Sequence, residues 1–258
     1  MNGEVNSLLE LSKLTAGLAL DKLNEIDRQQ NSKNYIFSSD VPREMKAAAD
    51  VIIENLILEK LIPTGIDILS EEGGLLKGSG KSSLKFIVDP IDGTVNYVRG
   101  IAKCAISIAL FDGDKAIFGV IATFPKGGIA WGGRGIGSFL EGAALSVSSI
   151  CEEKKSVLCT GFPSRFNFDS DSMKSQINLM SRFGKTRMLG SASQSLLQVA
   201  KGAVEYYAES EIMLWDVAAG IAIVEGAGGR VLKRKGLSEN SYDVAADNTM
   251  FDLTTIGS

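Results

Sequence analysis

Two carboxylates, a glycine and a hydroxyl stand within six residues at Asp89-Pro90-Ile91-Asp92-Gly93-Thr94. They follow directly on Leu84-Lys85-Phe86-Ile87-Val88, an apolar run that reads as a buried strand. Proline and glycine turn a chain, so the hexapeptide is expected at the strand end. Carboxylates withdrawn from water need compensating charge, and a divalent cation is the usual source. A plain D-P-x-D-G turn capping the next helix fits the same letters, and the hexapeptide alone leaves both readings open.

Three other acidic positions bear on the choice. Glu71-Glu72 follow the strand-like Ile66-Asp67-Ile68-Leu69-Ser70, where a solvated Glu-Glu-Gly-Gly turn is the alternative to a buried pair. In Trp215-Asp216-Val217-Ala218-Ala219-Gly220 an aspartate opens an apolar helix. A purely structural N-cap there is worth about 1 kcal/mol. Asp50 lies on a helix beside Ala47, Ala48 and Ala49, where a lone aspartate ordinarily faces solvent. The chain contains no histidine. Ser-His-Asp triads, Cys-His dyads, phosphohistidine chemistry and His-ligated zinc are thereby excluded. Carboxylates, hydroxyls, backbone groups and metal remain, and oxygen-only ligand sets favour magnesium, calcium or manganese.

Two further motifs imitate phosphate chemistry. Cys159-Thr160-Gly161-Phe162-Pro163-Ser164-Arg165 has the C-x5-R spacing of cysteine-dependent phosphatases. That mechanism needs a depressed thiol pKa and a ring of inward N–H groups, and Pro163 removes one of them. A strand-end cysteine and a loop arginine are the better reading, with Arg165 still within reach of a substrate. Gly78-Ser79-Gly80-Lys81-Ser82 matches the second half of a P-loop, but Leu75 stands where its first glycine belongs and a strand follows. A mobile lid over the active site is the expectation for this stretch.

The elements that must position these groups alternate between helix and strand. Leu8, Leu11, Leu14, Leu18 and Leu23 recur at helical spacing over residues 5–29. A second helix is expected to start after Asp40 and Pro42 and to run to Ile62. Hairpins are expected for 104–111 with 115–124, and for 129–131 with 138–140. A strand at Val157-Leu158-Cys159 restarts the chain, followed by helices near 169–182, 191–202 and 215–227 and strands near 204–209 and 230–233. The pattern predicts an α+β fold: an N-terminal half over 1–150 carrying most acidic motifs, and an α/β half over 151–258 completing the site. Apolar residues make up 45% of 258, which suits a packed core. A net charge of −4 with no basic run argues against nucleic-acid binding. No apolar run is long enough to span a bilayer, and Met1-Asn2-Gly3-Glu4 has no signal-like design. Cys104, Cys151 and Cys159 read as reduced thiols of a cytoplasmic protein.

Taken together, Asp50, Glu71-Glu72, Asp89-Pro90-Ile91-Asp92-Gly93-Thr94 and Trp215-Asp216-Val217-Ala218-Ala219 resemble the inositol monophosphatase family of lithium-sensitive, magnesium-dependent phosphatases. Gly190-Ser191-Ala192 and Glu225-Gly226-Ala227-Gly228-Gly229 look like further family segments, and the likeness runs over nearly the whole chain. It implies the layered αβαβα sandwich of the inositol monophosphatase and fructose-1,6-bisphosphatase type. It also implies two or three Mg2+ ions, with Asp89 shared between two of them, Glu71 and the Ile91 carbonyl on the first, and Asp92 and Asp216 on the second. Thr94 and Asp50 would orient and deprotonate a water, and the Gly93 and Thr94 N–H groups would face the phosphate. Gly190, Ser191, Ala192 and Glu209 would meet the leaving alcohol. Ala47 departs from the pattern, since relatives place a threonine three residues before the helical acid; Tyr97 replaces a common phenylalanine. The implied activity is hydrolysis of a small phosphorylated polyol or sugar, inositol monophosphate first. A 3′(2′),5′-bisphosphate nucleotidase, with Arg165, Arg182, Lys185 and Arg187 available to it, or a regulatory binding protein on the same fold are the alternatives. Relatives are commonly homodimers, so a homodimer is expected.

Overall fold

The computed structural model describes residues 3–28, 35–37, 45–80, 82–125 and 127–253. In chain order the elements are α1 (Gly3–Arg28), β1 (Tyr35–Phe37), β2 (Met45–Ala47), α2 (Ala48–Leu61), β3 (Asp67–Ser70), β4 (Gly74–Leu76), β5 (Leu84–Asp92) and α3 (Thr94–Arg99). There follow β6 (Cys104–Asp112), β7 (Lys115–Phe124), β8 (Ile129–Gly133), β9 (Gly137–Leu140), β10 (Ala143–Ala144) and β11 (Val157–Thr160). The chain ends with α4 (Ser170–Arg182), β12 (Lys185–Arg187), α5 (Ala192–Ala200), β13 (Tyr206–Met213), α6 (Leu214–Gly226), β14 (Arg230–Lys235) and β15 (Ser241–Asp247).

Two sheets organise the molecule, one of eight strands in the order β10-β9-β8-β7-β6-β5-β3-β4 and one of five in the order β12-β11-β13-β15-β14. Strand β6 is buried on both faces and shows why there are five layers. Its Ile106, Ile108 and Leu110 join the core beneath α1 and α2, whereas Ala105, Ala109 and Phe111 join a second core with α5, α6 and the smaller sheet. Leu158, Tyr206 and Ala245 face a third core, against Leu179 and Met180 of α4. Helix, sheet, helix pair, sheet and helix therefore stack as the expected αβαβα sandwich. The packing at the centre is close: a Cβ on Gly119 of β7 would lie 2.2 Å from the Ala219 carbonyl oxygen of α6.

Strand β5 does not end where the proline suggests. It continues through Asp92, and its register against β6 slips by one residue, with Asp89 opposite Ser107 and Asp92 opposite Ala105. Side chains alternate along a strand, so positions three apart normally face opposite ways. The extra residue of this bulge cancels that. Ile87 lies in the central core, Ile91 lies in the core under α1 and α2, and Asp89 and Asp92 open on the same cleft. Pro90 is tolerated because a bulge leaves one ladder N–H unused. The turn comes only at Gly93, whose φ of 94° is left-handed.

Other boundaries also differ from expectation. Asp40 and Pro42 lie outside the described residues; β2 occupies 45–47 and α2 begins at Ala48. Leu14 and Leu18 are exposed, because the buried face of α1 carries Leu8, Ser12, Thr15, Ala16, Ala19, Leu23 and Ile26. Small residues on that face let the helix lie close to the sheet. The strand expected over 204–209 extends from Tyr206 to Met213, and β15, unforeseen from sequence, pairs with it through a bulge between Glu209 and Ile212.

Candidate metal and phosphate site

A cleft of about 340 Å³ opens at the end of β5, between the first turns of α5 and α6 and the loop after β11. Glu71, Asp89, Ile91, Asp92, Thr94 and Asp216 line it, together with Gly93, Gly190, Ser191, Ala192 and Glu209. Eleven of the twelve sequence-predicted site residues are thus on its wall, and the twelfth, Asp50, stands behind it. Carboxylate oxygens of Asp89, Asp92 and Asp216 lie within 4.8 Å of one another.

Asp89 Oδ1 accepts the Ile91 N–H at 2.9 Å. Its Oδ2 is buried and meets no hydrogen-bond donor; Thr15 Oγ1 and the Tyr207 hydroxyl are the other such atoms among the described residues. Burial pushes Asp89 well above the usual carboxylate range, and Glu71, Asp92 and Asp216 push it further. Burial raises Glu71 in the same way, reinforced by Asp216, Asp50 and Glu72. Like charges crowded in a dry site resist joint ionisation. A buried acceptor without a donor, set among carboxylates in an all-oxygen site, fits a hard divalent cation.

Asp92 is held differently. Its Oδ2 accepts the Ser191 hydroxyl at 2.7 Å and the Ser193 N–H at 2.5 Å, and its Oδ1 accepts the Ala192 N–H at 3.2 Å. Burial lifts its pKa to about 6, and the donors of Ser191, Ser193 and Ala192 hold it from going further. Ser191 is also the N-cap of α5, accepting the Gln194 N–H at 3.2 Å. Ser191 and Ala192, expected to meet the leaving alcohol, thus direct those polar groups at Asp92. Ser193, unforeseen from sequence, also donates its hydroxyl to the Asp216 carbonyl at 2.9 Å.

Asp216 is the third residue of α6, not its N-cap; that place belongs to Met213, which has no capping side chain. The carboxylate still sits in the first turn, where the helix dipole favours negative charge. Asp50 is buried, not solvated. Its Oδ2 accepts the Ala47 N–H at 2.6 Å and its Oδ1 lies 3.4 Å from the Thr94 hydroxyl, which is also 3.1 Å from the Ile91 carbonyl. The backbone contact means that an alanine at 47 still leaves Asp50 fixed. Glu209 is buried on the far wall, and burial with Asp216 and Asp92 nearby raises it to about 8.

Sequence reasoning missed Asn96, which donates to the carbonyls of Lys103 at 2.9 Å and Leu189 at 2.7 Å. It ties α3 to the loop ahead of α5. It also missed Glu54, whose only signal was its place four residues after Asp50, and Phe162, which lines the cleft with Arg165. The described residues of the 78–82 stretch lie off the cleft wall, Lys81 being outside the described residues: Gly78 donates to Asp67 at 2.8 Å and Gly80 to the Gly65 carbonyl at 2.9 Å. Cys159 is buried and burial raises its thiol to about 11, so the C-x5-R segment offers no thiolate.

The chain is 31% identical to Nus factor SuhB of Pseudomonas aeruginosa over 99% of its length and 96% of that protein. Its structure superposes on the SuhB extragenic suppressor protein of Bartonella henselae with a TM-score of 0.84 at 27% identity, covering 95% of each chain. It superposes on the inositol monophosphatase of Anabaena with a TM-score of 0.80 at 28% identity, covering 96% of this chain and 92% of that one. Among the described residues no helix is long and apolar enough to cross a membrane. The family profile matches residues 4–254, and the chain belongs to the inositol monophosphatase family.

Proposed function

We propose that this chain is a Mg2+-dependent phosphomonoesterase acting on a small phosphorylated polyol or sugar, inositol monophosphate first among them. The observation that carries the reading is Asp89 Oδ2, buried without a donor beside the carboxylates of Asp92 and Asp216. Asp89 would serve two cations, Glu71 and the Ile91 carbonyl one of them, and Asp92 and Asp216 the other; a third would share Glu71. Such ions, when bound, neutralise phosphate charge and acidify water.

The remaining work falls to protein groups. Thr94 Oγ1, poised between Asp50 and the Ile91 carbonyl, orients the attacking water, and Asp50 takes up its proton. The Gly93 and Thr94 backbone faces the phosphate at the start of α3. On the alcohol side stand Gly190 and Glu209, with the Ser191 and Ala192 backbone beside them. Burial, with Asp216 and Asp92 nearby, raises Glu209 to about 8 in the metal-free protein, and its carboxyl oxygens can hydrogen-bond a sugar hydroxyl. Water adds to phosphorus, the ester P–O bond breaks, and the products are an alcohol and inorganic phosphate. The same reading includes inhibition by lithium, a homodimer and a cytoplasmic location.

Phosphate release from inositol 1-phosphate, adenosine 3′,5′-bisphosphate and fructose 1,6-bisphosphate, with and without Mg2+, tests it. Magnesium-dependent release from the inositol ester is expected; no release from any of the three sinks the enzyme reading. The bisphosphate nucleotidase reading is favoured by Phe162 and Arg165 on the cleft wall, an aromatic face and a cation suited to a base and a second phosphate. A regulatory role beside catalysis is supported by the P. aeruginosa relative, which is named a Nus factor.

A further inference from the structure

Glu54 lies one helical turn beyond Asp50 on α2, so both carboxylates share a face of that helix. The pair divides its work. Asp50 faces Thr94, while Glu54 Oε1 accepts the N–H groups of Glu72 at 3.1 Å and Gly73 at 3.0 Å. These are the first two amides after Glu71. The Glu71 N–H itself donates to the Val88 carbonyl at 3.2 Å, next to Asp89. Ser70 Oγ accepts the Gly73 N–H at 3.3 Å from the other side. Glu54 is only 5% exposed, so its carboxylate is a buried acceptor committed to this turn and absent from the cleft wall.

We propose that Glu54 is a positioning residue for the metal site: it fixes the 71–73 turn so that the Glu71 carboxylate is held beside Asp89 before any cation arrives. In the three-residue turn between β3 and β4, Glu54 is the acceptor for two of the three amides. Without the Glu54 acceptor, Glu71 must be ordered at the moment of binding, and the cost appears as weaker metal affinity. Partners one layer out from a metal commonly carry ten- to a hundredfold in affinity. This inference rests on the reading of Glu71 as a metal ligand.

The test is Mn2+ binding to the full chain by calorimetry, with melting of the metal-free protein measured alongside. Glu54→Gln keeps an acceptor oxygen in place and should bind Mn2+ within about threefold of the parent. Glu54→Met removes the acceptor and should weaken Mn2+ about ten- to a hundredfold. Glu54→Asp keeps the charge but withdraws the oxygen by one methylene, and should also weaken it; this variant carries the test if the Met protein does not fold. Parental affinity in the Met or Asp protein overturns the proposal. So does a Gln protein as weak as Met, which would assign the effect to charge. Glu71→Gln separates the levels: if it leaves Mn2+ affinity unchanged, the metal-site reading itself fails, whereas loss there with no loss at Glu54→Met removes only the positioning role.

Discussion

Ser191 gives its hydroxyl hydrogen to Asp92 Oδ2 at 2.7 Å, joining the N-cap of α5 to the end of β5 across 99 positions of sequence. One side chain thereby caps a helix and orients an acid of the cleft. Ser191→Ala should lower unfolding stability by about 1.5–3 kcal/mol, the range for a hydrogen bond to a charged group. It should also raise the Mg2+ concentration for half-maximal activity by about tenfold. Denaturant melts and a Mg2+ titration check both; an unchanged Mg2+ dependence would assign Ser191 to capping alone.

Asp89→Asn removes the charge at the centre of the acidic cluster while keeping the acceptor for the Ile91 N–H. Turnover should fall by at least about a thousandfold if the metals supply several kcal/mol of transition-state stabilisation. The metal-free variant should melt no lower than the metal-free parent, because burial and the neighbouring acids already disfavour a charge on Asp89 and the amide brings none. Phosphate-release assays and thermal melts read the two effects separately.

Asp92 titrates near 6 and Glu209 near 8 in the folded metal-free protein, both above their ordinary values of 3.8 and 4.5. The folded state therefore holds more protons than the unfolded one, and stability falls as pH rises. The contribution is complete below the unfolded values and is lost through about pH 6 for Asp92 and pH 8 for Glu209. Burial is the chief cause of both rises, and a bound cation offsets the cost of ionising a buried carboxylate. The rise in melting temperature on adding Mg2+ should be larger at pH 8 than at pH 6; equal rises would contradict the electrostatic account.

Cys159→Ser should keep activity within about twofold, since burial lifts the thiol to about 11 and withholds the thiolate. A kinetic comparison at pH 7 decides it. Loss of turnover in this variant with Asp89→Asn still active would reverse the chemistry proposed for the cleft.

Gly119→Ala places a methyl 2.2 Å from the Ala219 carbonyl oxygen, a backbone atom with no rotamer to escape into. Overpacking of this kind costs about 1–3 kcal/mol. A fall of several degrees in melting temperature is expected, with activity reduced as Asp216 shifts with its helix.

Much of the fold was legible because its signals are local. The 104–111 and 115–124 hairpin declares itself by apolar runs around Asp112-Gly113-Asp114, and β6 and β7 follow it. What escaped depended on partners distant in the chain. Strand β15 is irregular to the eye because it is defined by pairing with β13 and β14. The bulge in β5 is a property of its register against β6, so Pro90 looked like a terminus. At the site, acids could be listed from sequence, but not that Asp92 would be clasped by Ser191, Ala192 and Ser193 a hundred residues away. Glu54 was passed over because its purpose lies in amides of another loop.

The close seat of α6 has a consequence for how this chain can be altered. Ala219 lies against Gly119, a Cβ on Gly220 would meet Leu196 at 2.5 Å, and one on Gly226 would meet Gly133 N at 2.7 Å. The helix that presents Asp216 is keyed into its surroundings like a shaft with no play, so an inward change anywhere along it is transmitted to that carboxylate. Phe162, Pro163 and Arg165 stand on a loop outside that lock. Engineering a new leaving group is accordingly a task for this loop, with the helix and its acid left as the fixed tooling around which the rim is recut.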